Sequence, residues 1–189
     1  MRTGEAFQGF RLVKQIVLDK TGTLTEGRPV VREIEAIEIA EPELLAIAAA
    51  AEASSEHPLA QAVVKAAFDR GTTPPHVASF DSFPGKGVVA RIDAGEVLVG
   101  SPRFLADRKI DLTRVHKSIE TLEAAGRTVI AVARDGRALG VLALGDTLRS
   151  DAIPTIVALR NTGLKTILVT GDNERAAQRI GREVGIDQV

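Results

Sequence analysis

Two short apolar runs lie near opposite ends of the chain, and each stops at a polar turn. The first covers residues 14–18 and stops at Asp19, and the second covers residues 164–169 and stops at Thr170. Runs of this length are typical of strands buried in a parallel sheet. Helices are predicted before and after the second run, over residues 150–161 and 174–184, with glycine following each. These segments together predict an α/β layer.

The middle of the chain has helical segments followed by short β-like runs, and this pattern predicts an inserted α+β module with an antiparallel sheet. Asp135-Gly136 separates two β-like runs, which is a strong hairpin signal. The predicted helices cover residues 41–53, 58–70 and 112–125, residues 72–75 form a loop, and the strands cover residues 88–92, 96–99, 128–133 and 137–143. The predicted domains are therefore residues 1–30 and 144–189 of one α/β domain, split by a module of residues 31–143.

Composition narrows the classes of function. The 189 residues carry a net charge of −1, which gives no electrostatic reason to expect nucleic-acid binding. The chain has no cysteine, so disulfides and thiolate metal sites are excluded. The longest apolar stretch, residues 44–51, is far shorter than the ~20 residues of a membrane-spanning helix. Since the first ten residues also lack a signal-peptide core, we expect a soluble cytosolic chain.

Asp19 is the first candidate for chemistry. A carboxylate at the carboxyl end of a parallel strand lies where open α/β sheets place their ligands, and it can attack a phosphoryl group to form a covalent intermediate. Magnesium would offset the repulsion between this carboxylate and the phosphate oxygens. The alternative for an isolated Asp-Lys-Thr-Gly is an Asp that only caps a turn.

The complete string Asp19-Lys20-Thr21-Gly22-Thr23-Leu24-Thr25 resembles the signature of P-type ATPases. The resemblance implies a HAD-like, Rossmann-type sheet, with ATP phosphorylating Asp19 within a catalytic segment that includes Lys20 and Thr21. It also implies that Asp19 and the Thr21 carbonyl hold magnesium. Related phosphatases usually carry an acid/base Asp at the position of Thr21, so an aspartyl phosphate here should persist.

Two further segments resemble the same family. Thr170-Gly171-Asp172 is similar to the segment that faces the transferred phosphate, and Asp146 is similar to a hinge Asp, with Arg149 as its partner. Alone, the first would be an ordinary strand-to-helix turn and the second a surface ion pair. Their order relative to Asp19 favours catalytic roles for Thr170, Gly171, Asp172 and Asp146.

Ser55-Glu56-His57-Pro58-Leu59-Ala60 resembles the His-Pro segment of heavy-metal (class IB) P-type ATPases. There the histidine orients adenine, which an imidazole can do by stacking or hydrogen bonding. Glu52, about one turn upstream, is similar to the family's adenine-contacting Glu. A histidine before proline is otherwise most often a solvated residue at a helix start.

Gly85-Lys86-Gly87 resembles the family's glycine loop, where missing side chains let nucleotide approach the backbone. The resemblance places Gly85, Gly87 and Val88 beside the nucleotide, together with Gly100 and Ser101. Ser101 departs from the Asn that heavy-metal pumps tend to have. The alternative for the glycine loop is a plain turn into a strand.

The resemblance implies ATP, ADP and magnesium as ligands. It implies as partners the actuator and transmembrane domains of a pump at the cytoplasmic face of the cell membrane. It also implies a heavy-metal cation, copper before zinc or cadmium, bound by membrane helices that this sequence lacks. The sequence stops before the family's GDGxNDxP segment and its preceding Lys, which Lys20 and Lys165 are not expected to replace. We therefore expect a truncated α/β domain that binds nucleotide but hydrolyses it weakly or not at all. A soluble HAD-type phosphatase and a non-catalytic nucleotide-binding module are the alternatives.

Overall fold

The computed structural model describes residues 12–170 and 174–189. The chain divides into a smaller unit, Met1–Gly27 with Asp146–Val189, and a larger unit, Arg28–Gly145. The prediction had placed these joins at residues 30 and 143.

Eight strands and six α-helices follow one another along the described chain, and their bounds are as follows. They are β1 (Gln15–Asp19), β2 (Thr25–Ala36), α1 (Glu41–Glu52), α2 (Pro58–Asp69), β3 (Val77–Phe83), β4 (Gly87–Ile92), β5 (Gly95–Gly100), α3 (Pro102–Asp107), α4 (His116–Ala124), β6 (Thr128–Arg134), β7 (Arg137–Leu148), α5 (Ala152–Asn161), β8 (Lys165–Val169) and α6 (Glu174–Val184). The mixed α/β fold class predicted from the sequence is confirmed.

In the smaller unit, β1 and β8 pair in parallel, with Asp19 opposite Val169. A small core lies beside this pair, and it consists of Leu24, Ala152, Ile156, Leu168 and Val184. Gln188 extends the sheet through a parallel bridge to Ile167. The two apolar runs of the sequence are therefore neighbouring strands, so their polar ends lie at the same edge of the sheet.

The larger unit is built on a six-stranded sheet in the order β2-β7-β6-β5-β4-β3. The pairs from β3 to β7 are antiparallel, and Asp135 and Gly136 form the turn between β6 and β7 with φ of 48° and 80°. These positive φ values at both turn positions are those of a type I′ hairpin. The hairpin that the sequence predicted is confirmed.

Helices cover both faces of this sheet. Residues of β6 alternate between the faces, so Ile130 and Val132 pack with α1 and α2, while Val129 and Ala131 pack with α3 and α4. Alternation with a period of two is the consequence of the strand pleat. The alanine-rich α1 is almost completely buried from Leu44 to Ala51, because small side chains let it pack closely against its neighbours.

Three elements were not predicted. Strand β2 carries five charged residues and is typical of a polar segment, β3 is mostly exposed, and α3 has only six residues. The predicted helix over residues 112–125 instead starts with a 3₁₀ turn, Thr113–Val115, before α4. No helix of the described part of the chain is both long and apolar enough to cross a membrane.

Candidate functional site

A cleft in the larger unit brings together the residues that the sequence predicted to bind nucleotide. It has a volume of about 290 Å³ and lies between the α1–α2 connection, the turn from β3 to β4 and the start of β6. All seven predicted residues line it, and these are Glu52, His57, Gly85, Gly87, Val88, Gly100 and Ser101. Segments that are up to about fifty residues apart in sequence therefore converge on one concave surface, as ligand sites require.

Glu52 is the last residue of α1 and lines the cleft. Its side chain belongs to a residue only 8% exposed, and burial raises the pKa of its carboxyl to about 7. The Ser55 hydroxyl donates to this carboxyl and opposes part of that increase. Glu52 thus combines burial with a perturbed pKa inside a cleft, which is typical of functional carboxyl groups.

His57 begins the next helix and is held in one orientation. Its Nδ1 accepts a hydrogen bond from the backbone N–H of Leu59 at 3.2 Å, so the side chain caps the N-terminus of α2, and Pro58 occupies the first helical position. Because Nδ1 accepts this bond, the proton of the neutral ring lies on Nε2. The ring is exposed, and Nε2 is left as a donor for a ligand.

Gly85 lies in a tight turn at the rim of the cleft. Lys86 N donates to Phe83 O at 2.9 Å, Pro84 occupies the second turn position, and Gly85 has a φ of 70°. A turn with proline second and a positive φ third requires glycine at the third position. A Cβ on Gly85 would meet nothing within 4 Å, so its backbone is open to a ligand.

Gly87 has a different reason to be glycine. It pairs with Gly100 across β4 and β5, and a Cβ on Gly87 would lie only 2.3 Å from Val99 O and 2.6 Å from Gly100 Cα. A Cβ on Gly100 would in turn lie 2.5 Å from Lys86 O. The sequence interpretation, that missing side chains admit nucleotide, therefore describes Gly85; Gly87 and Gly100 line the cleft but are glycines because two strands pack closely.

Ser101 links the glycine turn to α3. Its Oγ accepts from Phe104 N at 3.2 Å, which caps α3, and its backbone N donates to Lys86 O at 2.9 Å. Serine and asparagine are both good N-caps. The departure from the family's usual Asn therefore preserves a cap, and the Ser101 side chain is already engaged in this bond.

Phe83 lines the cleft but was not predicted from the sequence, and neither were its packing partners Phe104 and Arg108. Phe83 stacks against Phe104 with centroids 5.5 Å apart, and the Arg108 guanidinium lies 4.5 Å from the Phe83 ring and 4.7 Å from the Phe104 ring. Such cation–π contacts stabilise the rim that carries Gly85. Ser55 and Lys86 also line the cleft. Both lie inside the two segments compared with the family, residues 55–60 and 85–87, so their positions in these segments could have predicted them.

In the smaller unit, Asp19 ends β1 and its residue is exposed. The next five residues, Lys20–Leu24, form an irregular turn in which Gly22 has a φ of 76°. Thr21 and Thr23 are exposed in this turn, whereas Leu24 is buried in the small core. Asp19 is therefore exposed at the carboxyl end of a parallel strand, which is the position predicted for it.

Asp146 holds this turn in place. Its Oδ2 lies 2.5 Å from Thr25 Oγ1 and accepts from Gly27 N at 3.1 Å, while Oδ1 accepts from Thr147 N at 2.8 Å. Thr25 is fully buried, and its Oγ1 also lies 3.1 Å from Lys20 O. Asp146 is thus a positioning residue for the segment that carries Asp19.

The predicted pairing of Arg149 with Asp146 is wrong. The Arg149 guanidinium pairs with Asp151, with Nε 3.0 Å from Oδ1 and Nη2 3.3 Å from Oδ2. The carboxyl of Asp146 is turned toward Thr25 and Gly27 instead. Arg149 still contacts the signature segment, because its backbone N donates to Leu24 O at 3.0 Å.

The third predicted segment is only partly visible. Thr170 follows β8 directly and lies beside the strand end that carries Asp19, because Val169 and Asp19 are register partners. Gly171 and Asp172 lie outside the described residues. Helix α6 itself spans Glu174–Val184, as predicted, and Gly185 follows it with a φ of 81°.

The donor set around Asp19 fits magnesium that arrives with a nucleotide. Within residues 12–170 and 174–189, no group of three or more His, Asp or Glu side chains could hold a metal ion. The described donors predicted for magnesium are the Asp19 carboxylate and the Thr21 carbonyl. Magnesium commonly binds through one or two carboxylates together with water and substrate phosphates. These two protein groups could therefore hold the ion when water and nucleotide phosphates supply its other ligands.

The chain is similar in sequence to known P-type ATPases. The chain is 40% identical over 190 residues to a copper-transporting P-type ATPase of Rhizobium leguminosarum bv. viciae, and 36% identical over 190 residues to a silver exporting P-type ATPase of Salmonella typhimurium. Both alignments cover 100% of this chain and 23% of the relative. The chain therefore spans about a quarter of the length of these curated relatives.

Solved structures give the same result. A zinc-transporting PIB-type ATPase in the E2.Pi state matches with a TM-score of 0.81 and 40% identity, over 94% of this chain and 29% of that chain. The N-domain of HMA8, a copper-transporting P-type ATPase, matches with a TM-score of 0.54 and 34% identity, over 60% of this chain and 98% of that one. The family model of haloacid dehalogenase-like hydrolases matches residues 13–189. The chain belongs to the haloacid dehalogenase-like hydrolases, and it is similar to the catalytic portion of heavy-metal P-type ATPases.

Proposed function

We propose that this chain is the ATP-binding and autophosphorylated catalytic portion of a heavy-metal-transporting P-type ATPase. The observation that carries the proposal is the cleft of the larger unit, where seven residues predicted from separate segments line one surface. In the proposal, ATP binds in this cleft with its base near Glu52 and His57. The open backbone of Gly85 then lies against the rest of the nucleotide.

The second part of the proposal concerns Asp19. Its carboxylate oxygen attacks the terminal phosphorus of ATP, the bond to the bridging oxygen breaks, and ADP leaves as an acyl phosphate forms on Asp19. Magnesium held by Asp19 and the Thr21 carbonyl would offset the repulsion between carboxylate and phosphate. Lys20, Thr170, Gly171 and Asp172 are proposed as the surrounding catalytic segments.

The side chain at position 21 distinguishes this function from that of a soluble phosphatase. Thr21 is exposed in the turn after Asp19, and a threonine hydroxyl cannot serve as the acid/base that hydrolyses an aspartyl phosphate. We therefore propose that the phosphoenzyme persists, and that the isolated chain turns ATP over weakly or not at all.

The whole-pump context follows from the relatives. Several curated relatives carry copper in their names, one carries silver, and one matched structure carries zinc. We propose a heavy-metal cation, copper before zinc, as the transported ion. The actuator and transmembrane domains of the same pump are the proposed partners, at the cytoplasmic face of the membrane.

Two measurements test the proposal. Calorimetric titration of the chain with ATP should show saturable binding that is weakened by Glu52→Ala. Incubation with magnesium and ATP labelled on the terminal phosphate should give an acid-stable, hydroxylamine-labile label that Asp19→Asn abolishes. Binding without any label would leave a non-catalytic nucleotide-binding module. Release of phosphate from small phosphoesters would instead support a soluble phosphatase.

A further inference from the structure

Glu52 occupies an unusual position, because it lines two openings of the larger unit. It lies in the nucleotide cleft and also in a groove formed with Ala53, Gln61, Val64, Lys65 and Phe68. The titratable side chains that line these openings with it are His57 and Lys86 in the cleft and Lys65 in the groove. Lys65 is bonded to Asp69 at 2.8 Å.

Within residues 12–170 and 174–189, no cationic side chain forms an ion pair with the buried Glu52 carboxyl. Burial raises the pKa of this carboxyl, and the hydrogen bond from the Ser55 hydroxyl opposes part of that increase. An ionised carboxylate that is desolvated without a positive partner is strongly disfavoured relative to its neutral acid. A nucleobase bound over Glu52 would exclude the remaining water and further favour the neutral acid.

The two protonation states of a carboxyl group recognise different purine edges. A neutral acid has one O–H donor and one carbonyl acceptor, whereas a carboxylate only accepts. Adenine presents an amine donor beside ring-nitrogen acceptors, so it pairs through two bonds with the neutral acid. Guanine presents adjacent N–H donors at its N1 and N2 positions, so it pairs through two bonds with the carboxylate.

We infer that Glu52 binds adenine as a neutral carboxylic acid, donating its proton to a ring nitrogen of the base and accepting from the exocyclic amine. This inference rests on the proposed function of the cleft. Ionisation of Glu52 removes the donor that adenine needs and creates the acceptor pair that guanine prefers. The protonation of this one side chain therefore sets the preference for ATP over GTP.

The expected pH dependence follows directly. Because burial places the pKa of Glu52 at about 7 in the unliganded chain, the neutral form falls from most of the population at pH 6 to about a tenth at pH 8. When only the neutral form binds, the apparent affinity falls with that fraction. The Kd for ATP should therefore rise about tenfold between these pH values.

Glu52→Gln is the decisive variant, because glutamine is a neutral isostere with one acceptor and one donor, and it pairs with adenine through two bonds. Calorimetric titrations of the full chain with ATP and GTP are made at pH 6, 7 and 8. As the pH rises, wild type should lose affinity for ATP relative to this variant. The preference of wild type for ATP over GTP should decline over the same range. The ionisation of His57, Lys86 and the phosphates is shared by both proteins. Comparison with Glu52→Gln therefore isolates the effect of Glu52.

A second measurement uses wild type alone. Titrations at pH 7.5 in two buffers of different ionisation enthalpy should show more proton uptake with ATP than with GTP, since only adenine requires the protonated form. Equal uptake for both nucleotides, or Glu52→Gln losing ATP as completely as Glu52→Ala does, would overturn the inference. Absence of ATP binding by wild type at every pH would instead reject the proposed function of the cleft.

Discussion

Thr25 Oγ1 and Asp146 Oδ2 lie 2.5 Å apart and connect the first and second halves of the smaller unit, 121 positions apart in sequence. The Thr25 side chain is fully buried, and a hydroxyl bonded to a carboxylate forms one of the stronger hydrogen bonds in proteins. This bond fixes the start of β2 relative to Asp146, and so positions the turn that presents Asp19.

We predict that Thr25→Val destabilises the smaller unit by about 1–3 kcal/mol, because it removes the buried hydroxyl that bonds Asp146 Oδ2 and leaves this half-buried carboxylate oxygen with the bond from Gly27 N. Thr25→Ser keeps the hydroxyl and is the matched control. Amide hydrogen exchange of residues 165–169 reports on this unit specifically. Phosphate incorporation on Asp19 should fall with Thr25→Val and remain with Thr25→Ser. Equal protection in the two variants would show that the hydroxyl does not hold the turn.

The two glycines of Gly85-Lys86-Gly87 should respond in opposite ways to alanine. Gly87→Ala places a Cβ against Val99 O and Gly100 Cα, so we expect it to cost several kcal/mol, at least the ~1–3 kcal/mol typical of overpacking. Gly85→Ala meets no atom within 4 Å and should cost only about 1–2 kcal/mol, the penalty for a side chain at a positive φ.

Nucleotide binding distinguishes these two glycines further. Gly85→Ala should weaken ATP binding by calorimetry while the chain still unfolds cooperatively at a temperature only a few degrees lower. If Gly85→Ala bound ATP as wild type does, the glycine would serve only the turn. Gly100→Ala is a matched variant, because its Cβ would clash with Lys86 O. We expect it to lose stability as Gly87→Ala does.

Patterns along the sequence predicted most of this fold because the decisive elements are locally encoded. The runs that end at Asp19 and Val169, the alanine-rich α1 and the Asp135-Gly136 hairpin each carry their own periodicity or turn chemistry. Strand β2 was not predicted because charged residues interrupt its apolar positions, and pairing with β7 in the sheet overrides its weak propensity.

For the candidate site, it was easier to predict which residues line the cleft than why each residue type is needed there. The sequence placed Gly87 and Gly100 at the cleft, but only the register of β4 with β5 reveals that they are glycines because the strands approach closely. The partner of Arg149 could not be predicted, since Asp146 and Asp151 are both near it in sequence. The contacts of Phe83, Phe104 and Arg108 depend on packing that no local pattern encodes.

His57 should have two separable roles. Its Nδ1 caps α2 through Leu59 N, and its ring is proposed to contact the base. His57→Ala removes both, so we expect a loss of about 0.5–1 kcal/mol in stability and about 1–2 kcal/mol in ATP binding. His57→Asn restores a capping side chain without the ring, so thermal unfolding should recover while the Kd for ATP stays high. Recovery of ATP binding in His57→Asn would show that the cap alone accounts for the effect of His57.

The stability of the chain should depend on pH through Glu52, and the sign follows from its raised pKa. In the native state this carboxyl keeps its proton up to about pH 7, whereas in the unfolded chain it loses the proton near pH 4.5. Between these values the native state binds more protons, so the contribution of Glu52 to the free energy of unfolding falls as the pH rises from 4.5 to 7. The total change is at most about 3.5 kcal/mol, because one pKa unit corresponds to about 1.4 kcal/mol. Glu52→Gln cannot ionise, so urea unfolding at pH 5 and pH 8 should show the variant gaining stability relative to wild type at the higher pH. A constant difference between the two proteins across this range would show that Glu52 is ionised throughout and that the native state tolerates its charge.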